Sequence, residues 1–307
     1  MRDAFFAELL DLYKADQRVV FLTGDLGYKL FDRLVEADPD RVMNVGLREA
    51  GMVGVASGLA HAGMLPFVYS ITPFVTLRCL EQVKLDFCYN QVRAVLVGVG
   101  GGYSYGANGP THHGVDDIGV LSCLPGLRVW TPADPMEVRA CVRAVAELSG
   151  PAYLRLGRNG EPCLHPQDKV PPPIGAPVVS RNGTDGTLLT CGVILHEVLK
   201  AAELLKEEGC NVRVVHVPTL RPFPAERLLA CLAPEGPVLT VEEHVSVGGL
   251  GQETAVLLAQ RGVARPFRML SIPMAFQGEC LSRDAALAWA GIDAPSIAEA
   301  WRELAGT

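Results

Sequence analysis

The sequence predicts an α/β protein built from two doubly wound, mostly parallel-sheet domains. Short apolar runs alternate with helix-period segments through the first half of the chain, a pattern that gives a parallel sheet covered on both faces. Between residues 157 and 186 neither period survives, and Pro162, Pro166, Pro171, Pro172, Pro173 and Pro177 stiffen a connection. Beyond it the alternation resumes over a shorter stretch. The chain therefore divides into a first domain at 1–160, a linker at 161–186 and a second domain at 187–307.

The elements follow from period and punctuation. Residues 2–15 have helical spacing, and V-V-F-L-T at 19–23 is an apolar strand. A short strand at 41–45 precedes a helix at 49–62, whose glycines and alanines permit close packing. Strands at 65–70 and 93–99 flank a helix at 74–88, and strands at 127–132 and 152–156 flank a helix at 136–148. In the second domain strands are expected at 187–192, 212–217, 237–242 and 268–272. Helices are expected there at 195–208, 225–232 and 249–260. No repeat of fixed period is present.

Composition excludes several classes. With 49% hydrophobic and 20% charged residues, a chain of 307 residues supports two large cores rather than disorder. A net charge of −7 argues against nucleic acid and anionic membrane as partners, since both demand clustered Lys and Arg. No apolar run approaches the roughly 18 residues of a membrane span. Asp3 and Glu8 make the start an amphipathic helix rather than a signal peptide. The nine cysteines are odd in number and form no C-x-x-C pair, and several sit in apolar runs. They read as reduced, core-filling thiols of a cytoplasmic protein.

Two motifs invite readings that their context denies. G-V-G-G-G-Y at 98–103 lacks the helix that should follow a dinucleotide-binding turn. V-E-E-H at 241–244 sets two carboxylates beside His244, where capping or interface bonding is a better account than a metal. Glu49 is different. It is the only acidic residue between Val42 and Gly63, in a stretch of small and apolar residues, and burial without a partner would cost several kcal/mol. Read by itself, it is either a carboxylate satisfying free N–H groups at a helix N-terminus or a buried acid kept for a ligand.

The remaining motifs are T-G-D-L (23–26), R-x-x-N-V-G-x-x-E (41–49), G-x-A-S-G-L-A (54–60) and F-x-x-x-R-x-x-E-Q (74–82). They continue with N-G-P-T-H-H (108–113), D-D (116–117), L-P-G-L-R-V (124–129), T-P-A-D-P-x-E (131–137) and Y-L-R-L-G-R (153–158). V-E-E-H (241–244) and G-G-L-G (248–251) complete the series, which spans nearly the whole chain. In this order they resemble the pyrimidine-binding and C-terminal domains of the transketolase family. The pattern is shared with 1-deoxyxylulose-5-phosphate synthase and the beta subunits of 2-oxo acid dehydrogenases.

The resemblance implies a thiamine-diphosphate enzyme in which Glu49 is catalytic. Its carboxylate would bond N1′ of the aminopyrimidine and favour the imino tautomer whose N4′ takes the C2 proton. Such a bond is strong only where water is excluded. Phe74 resembles the aromatic that stacks on the pyrimidine, with Tyr69 as the other aromatic bordering that pocket. Arg78 is placed beside the cofactor, on a helix whose Glu81 and Gln82 face either a subunit interface or solvent. His112 matches the histidine that points at substrate oxygens and assists the bond-breaking step, while His113 either shares this work or faces solvent. Asp116 and Asp117 are expected to orient the loop or cap a helix.

Asn108 stands where members acting on sugar phosphates have aspartate, and Gly100 where they have a phosphate-binding histidine. Arg2 and Arg158 match the arginines that hold the phosphate, a group suited to bidentate guanidinium. Part of an anion clamp persists and part is gone. This implies an unusual ketose or acceptor: one with a different anionic end such as a sulfonate, or a branched or shortened sugar.

G-D-L at 24–26 with Asn44 falls short of the family's G-D-G…N signature, so no metal ligand is assigned to this chain. Thiamine diphosphate and Mg2+ are expected to be held mainly by a separate, diphosphate-binding N-terminal subunit in an α2β2 assembly. The implied reaction is transfer of a two-carbon ketol unit from a ketose, phosphorylated or otherwise anionic, to an aldehyde. Neither subunit would be active alone. The alternatives are a beta subunit of a 2-oxo acid dehydrogenase, a deoxyxylulose-phosphate-synthase-like enzyme, or a non-catalytic stabilising subunit.

Overall fold

Twelve strands, taken in chain order, organise the protein. They are β1 (Val19–Thr23), β2 (Val42–Asn44), β3 (Leu65–Ile71), β4 (Val95–Val99), β5 (Arg128–Trp130) and β6 (Ala152–Leu156). There follow β7 (Val178–Arg181), β8 (Thr187–Thr190), β9 (Arg213–His216), β10 (Thr219–Arg221), β11 (Val238–Val245) and β12 (Phe267–Ile272). They come from a computed structural model that describes residues 1–158, 160–165 and 174–306. Pro166 and Pro171, Pro172 and Pro173 of the expected linker lie outside the described residues.

The first sheet has strand order β10-β5-β6-β4-β3-β1-β2 and is parallel except for β10. The second runs β12-β11-β8-β9-β7 and is parallel except for β7. Strands β1, β4 and β6 are buried at every residue, as continuous apolar strands covered on both faces must be. Helix Arg2–Ala15 lays Phe5 and Phe6 over an aromatic cluster with Phe21, Phe67 and Tyr69. Buried Glu8 on the same helix anchors it to helix Pro135–Ala144, accepting hydrogen bonds from Arg143 at 2.6 Å and Arg139 at 3.3 Å. Among the described residues no helix is long and apolar enough to cross a membrane.

The two-sheet α/β architecture matches the expectation, with three differences. The connection expected to be structureless contains β7, an edge strand paired antiparallel with β9; antiparallel edge strands need no covering helix and leave a weak periodic signal. Strand β10, in the second half of the chain, pairs antiparallel with β5 and so joins the first sheet. Thr131 extends this seam, donating its N–H to Pro218 O at 2.7 Å and its hydroxyl to Val217 O at 3.1 Å.

The expected helix at 74–88 is broken into α-helical Thr72–Val75, a 3-10 turn Leu77–Cys79, α-helical Leu80–Gln82 and a π-helical stretch Val83–Tyr89. Thr76 leaves helical geometry at φ −102°, ψ −81°, and its hydroxyl donates to Thr72 O at 2.7 Å. Side-chain bonding of this kind competes with the helix ladder, and π-helical turns concentrate at functional sites. The cysteines also divide: Cys79, Cys88, Cys141 and Cys191 are buried, but Cys123, Cys163 and Cys280 are exposed rather than core-filling.

Asp134 shows how a loop is tied to this frame. Its Oδ1 caps helix Pro135–Ala144 by accepting Glu137 N–H at 2.9 Å, and its Oδ2 accepts the N–H groups of Leu164 and His165. Burial pushes this carboxyl up, but hydrogen bonds from the His165 ring and from backbone N–H groups outweigh it and hold the group at about 2. The same bond raises His165 above its ordinary value. Asp134 therefore stabilises fully above pH ~4 and loses its effect as pH falls towards 2; His165 contributes fully below pH ~6.5 and loses its effect as pH rises through its raised value. Asp134→Ala is expected to lower unfolding stability at pH 6 by about 2 kcal/mol, the upper end of cap losses. His165→Ala should remove the decline in stability just above pH ~6.5, both read from urea midpoints across pH.

Candidate active site

Glu49 is the first residue of helix Glu49–His61 and is 1% exposed. Its carboxylate does not cap its own helix. Oε2 accepts from Arg78 Nη1 at 2.8 Å, and Oε1 is approached by the Ser70 hydroxyl at 3.4 Å. One carboxylate oxygen is thus firmly held and the other has only a long contact. A Cβ added to Gly24 would lie 3.6 Å from Glu49 Cγ and 3.3 Å from Gly46 O, so glycine keeps open the space beside the acid.

The turn T-G-D-L forms that wall. Asn44 Oδ1 accepts the N–H groups of Asp25 and Gly46, both at 3.0 Å, and Asn44 Nδ2 donates to Asp25 Oδ1 at 3.2 Å. Asp25 takes the left-handed conformation at φ 57°, which these bonds sustain.

From Glu49 a run of side-chain contacts crosses the site. Arg78 stacks on Phe74 with its guanidinium carbon 4.5 Å from the ring centroid. Phe74 meets His112 edge-on at 5.2 Å between centroids. The broken helix makes this possible, because Arg78 in the 3-10 turn lies over Phe74 in the preceding turn. Thr111 Oγ1 lies 2.9 Å from His112 Nδ1 and orients the ring, leaving Nε2 as the nitrogen available to a ligand. Arg158, exposed on the loop after β6, places its guanidinium carbon 4.7 Å above the Tyr105 ring.

Tyr69 and His113 stand apart from this run of contacts. Tyr69 is 1% exposed and its ring packs among Phe5, Phe6 and Phe21. On a strand neighbouring side chains point to opposite faces, so with Ser70 turned towards Glu49 the Tyr69 ring turns away. Of the two aromatics, Phe74 is the one beside the acid. Burial, then the nearby Tyr105, push the Tyr69 phenol above its ordinary range, against the opposing charge and hydrogen bond of Arg2. His113 is buried against Tyr103 with its Nε2 3.3 Å from Gly106 O, so it neither faces solvent nor joins His112. Burial lowers its pKa. Asn108 is exposed at the end of a 3-10 turn, and Arg2 is half-buried.

Sequence reasoning missed Arg155, the buried cation that holds this loop, whereas Asp117 and the V-E-E-H carboxylates make orienting and capping bonds of the kind expected of them. Arg155 Nε donates to Asp117 Oδ2 at 2.8 Å, and its Nη2 donates to Gly114 O at 2.7 Å and Glu243 O at 3.0 Å. Glu243 in turn accepts from Tyr103 N–H at 2.7 Å and Arg283 at 2.6 Å, while Glu242 accepts two N–H groups at the start of helix Leu250–Gln260. The glycine run at 98–103 serves this packing: a Cβ on Gly101 would fall 2.7 Å from Arg155, and one on Gly102 2.3 Å from Glu243.

A sequence model of the transketolase pyrimidine-binding domain matches residues 1–161, and one of the transketolase C-terminal domain matches residues 175–297. The chain belongs to the transketolase family. It is 33% identical over 273 residues to one subunit of the apulose-4-phosphate transketolase of Phocaeicola vulgatus, covering 89% of this chain and 87% of that one. It is also 33% identical to the 6-deoxy-6-sulfo-D-fructose transketolase subunit SqwH of a Clostridium species, covering 85% and 81%. Among solved structures, a split-gene transketolase, an inactive beta4 tetramer, superposes with a TM-score of 0.87 at 28% identity, covering 99% and 97%.

Within this transketolase-family chain the Arg155–Asp117 pair is the support on which the His112 loop depends. Arg155→Leu is expected to lower unfolding stability by about 3–5 kcal/mol, because it leaves Asp117 buried and unpaired. The measurement is a denaturant midpoint at unchanged slope.

Proposed function

We propose that this chain is the pyrimidine-binding subunit of a split transketolase that moves a two-carbon ketol unit from an anionic ketose to an aldehyde. The observation that carries the reading is a half-site: Glu49, Arg78, Phe74 and His112 in successive contact, in a chain that aligns over most of its length with single subunits of transketolases.

The residues present fit thiamine diphosphate. Glu49 offers a buried carboxylate with a weakly engaged oxygen beside a glycine-lined space, and Phe74 supplies an aromatic face. When bound, the cofactor supplies a nucleophilic carbon able to add to a ketose carbonyl. Glu49 would accept a hydrogen bond from the pyrimidine N1′, strengthened by exclusion of water. Phe74 would orient the ring, and Arg78 would fix the Glu49 carboxylate in place. His112 Nε2 would hold or donate a proton at a substrate oxygen as the carbon–carbon bond parts. Arg2 and Arg158 would hold the anionic end, and Asn108 a neutral hydroxyl.

A partner subunit would hold the diphosphate and its Mg2+. Supporting this division, exposed apolar Tyr28, Leu47, Val55, Leu77, Leu85 and Tyr89 lie on elements that carry or adjoin Glu49 and Arg78. Exposed Gly51, Gly54 and Gly58 on helix Glu49–His61 would let another backbone approach closely. An assembly of two copies of each chain in a reducing cytoplasm agrees with the transketolase kinship and with the burial of Cys79, Cys88, Cys141 and Cys191.

The test is coexpression with a diphosphate-binding transketolase subunit, followed by assay of ketose phosphates and sulfonates against 2-oxo acids. Ketol transfer from a ketose is expected; turnover of 2-oxo acids alone would overturn the reading. Glu49→Gln and His112→Ala are each expected to lower kcat by about 10²–10⁴, with the complex still assembling by size. An assembled Glu49→Gln complex with full activity would instead identify a stabilising, non-catalytic subunit.

A further inference from the structure

Gly100 sits at φ +87°, and a Cβ there would fall 2.1 Å from Tyr105 Cδ2 and 2.2 Å from Cε2. The Tyr105 ring therefore occupies the volume that any larger residue at position 100 would need. From there it makes two connections: its centroid is 6.2 Å from that of His112, and the Arg158 guanidinium lies over its face. Tyr105 is half-exposed, whereas Tyr103 on the same loop is buried in the core of the second half.

The chemistry of these contacts is specific. A guanidinium stacked on an aromatic face keeps its in-plane N–H groups for a planar fork, the geometry that grips a carboxylate, phosphate or sulfonate. Among the described residues Arg158 forms no ion pair, so this fork is uncommitted. Arg158 also lines a cleft of about 480 Å³ with Ser104, Ala107 and Arg283, which gives the fork access to solvent. Arg2 Nε is buried without a hydrogen-bond partner. The ring thus stands between His112, assigned to the reacting end of the sugar, and a guanidinium with free donors.

We propose that Tyr105, made possible by Gly100, is a specificity-determining residue that selects ketoses ending in a tetrahedral oxyanion, phosphate or sulfonate, by holding Arg158 in a stacked pose and donating its phenol O–H to that anion. This rests on the transketolase reading given above. The ring fills the space that a side chain at position 100 would need.

The experiment uses the assembled two-subunit enzyme and three donors: a ketose phosphate, the matching ketose sulfonate and the same ketose without an anion. Tyr105→Phe keeps the stack and loses the donor; Tyr105→Ala loses both; Gly100→Ala pushes the ring aside. Expected results are a KM for the oxyanionic ketoses raised several-fold in Tyr105→Phe and at least tenfold in Tyr105→Ala and Gly100→Ala. The ratio of KM values between neutral and anionic donors should fall correspondingly. Unequal losses for phosphate and sulfonate in Tyr105→Phe identify which anion the phenol serves. An anion preference unchanged in Tyr105→Phe and Tyr105→Ala, both with wild-type thermal midpoints, overturns the role of Tyr105 alone. A wild-type complex inactive with every ketose overturns the transferase reading and this inference together.

Discussion

The buried guanidinium of Arg155 is the constraint on which the rest of the architecture depends. It lies on β6 in the first sheet, 5% exposed, and bonds at once to Asp117, to Gly114 O on the loop that carries His112, and to Glu243 O on β11 of the second sheet. Taking two such charges from water costs several kcal/mol per ion, recovered only with good geometry and full hydrogen bonding. Tyr153 adds a bond to Asp117 at 2.6 Å; burial is the largest single influence and would lower the Arg155 pKa, but the charges of Asp117, Tyr153 and Glu243 and the hydrogen bond to Asp117 together raise it, so the guanidinium stays charged. A single cation thereby fixes the loop, the first sheet and the second unit relative to one another.

That anchoring explains how a glycine-rich loop can be precise. Residues 98–114 contain little regular structure, yet they carry Tyr105 and His112 at ring distances from Arg158 and Phe74. Loops that position functional side chains require a rigid scaffold beneath them. Here the scaffold is electrostatic as well as apolar: Arg155 holds one end, and Glu243 with Arg283 holds the Tyr103 backbone. The opposite wall is built differently, from a helix interrupted at Thr76 so that Arg78 folds back over Phe74 towards Glu49. Both walls end at exposed surface, which suits a site completed by another polypeptide.

Much of the fold was legible because long apolar periods have one physical reading. Helix Arg2–Ala15 and strands Val19–Thr23 and Ala152–Leu156 fall where their spacing put them. Short elements without a strong period were not legible: β7 on an edge, β10 borrowed by the other sheet, and the seven-residue helix Arg283–Trp289. Helix Ala294–Ala305, which buries Ile297, Ala298 and Trp301, does carry a helical period and was overlooked. The broken helix was hidden for another reason. Its apolar pattern is helical, and the backbone nonetheless leaves helical geometry at Thr76, where the hydroxyl also bonds Thr72 O. Asp117 was read as a loop-orienting or capping residue, since nothing in a linear string places Arg155 beside it.

The sequence by itself determined the two-sheet α/β class, the transketolase kinship and the candidates Glu49, Phe74, Arg78, His112 and Arg158, because residue type and order are local properties that the fold preserves. Tertiary structure alone put Phe74 rather than Tyr69 beside Arg78 and His112, withdrew His113 into the core and brought Tyr105 over Gly100. These outcomes turn on which face of a strand a side chain takes and on which distant groups share its volume. Such facts exist only once the chain is packed.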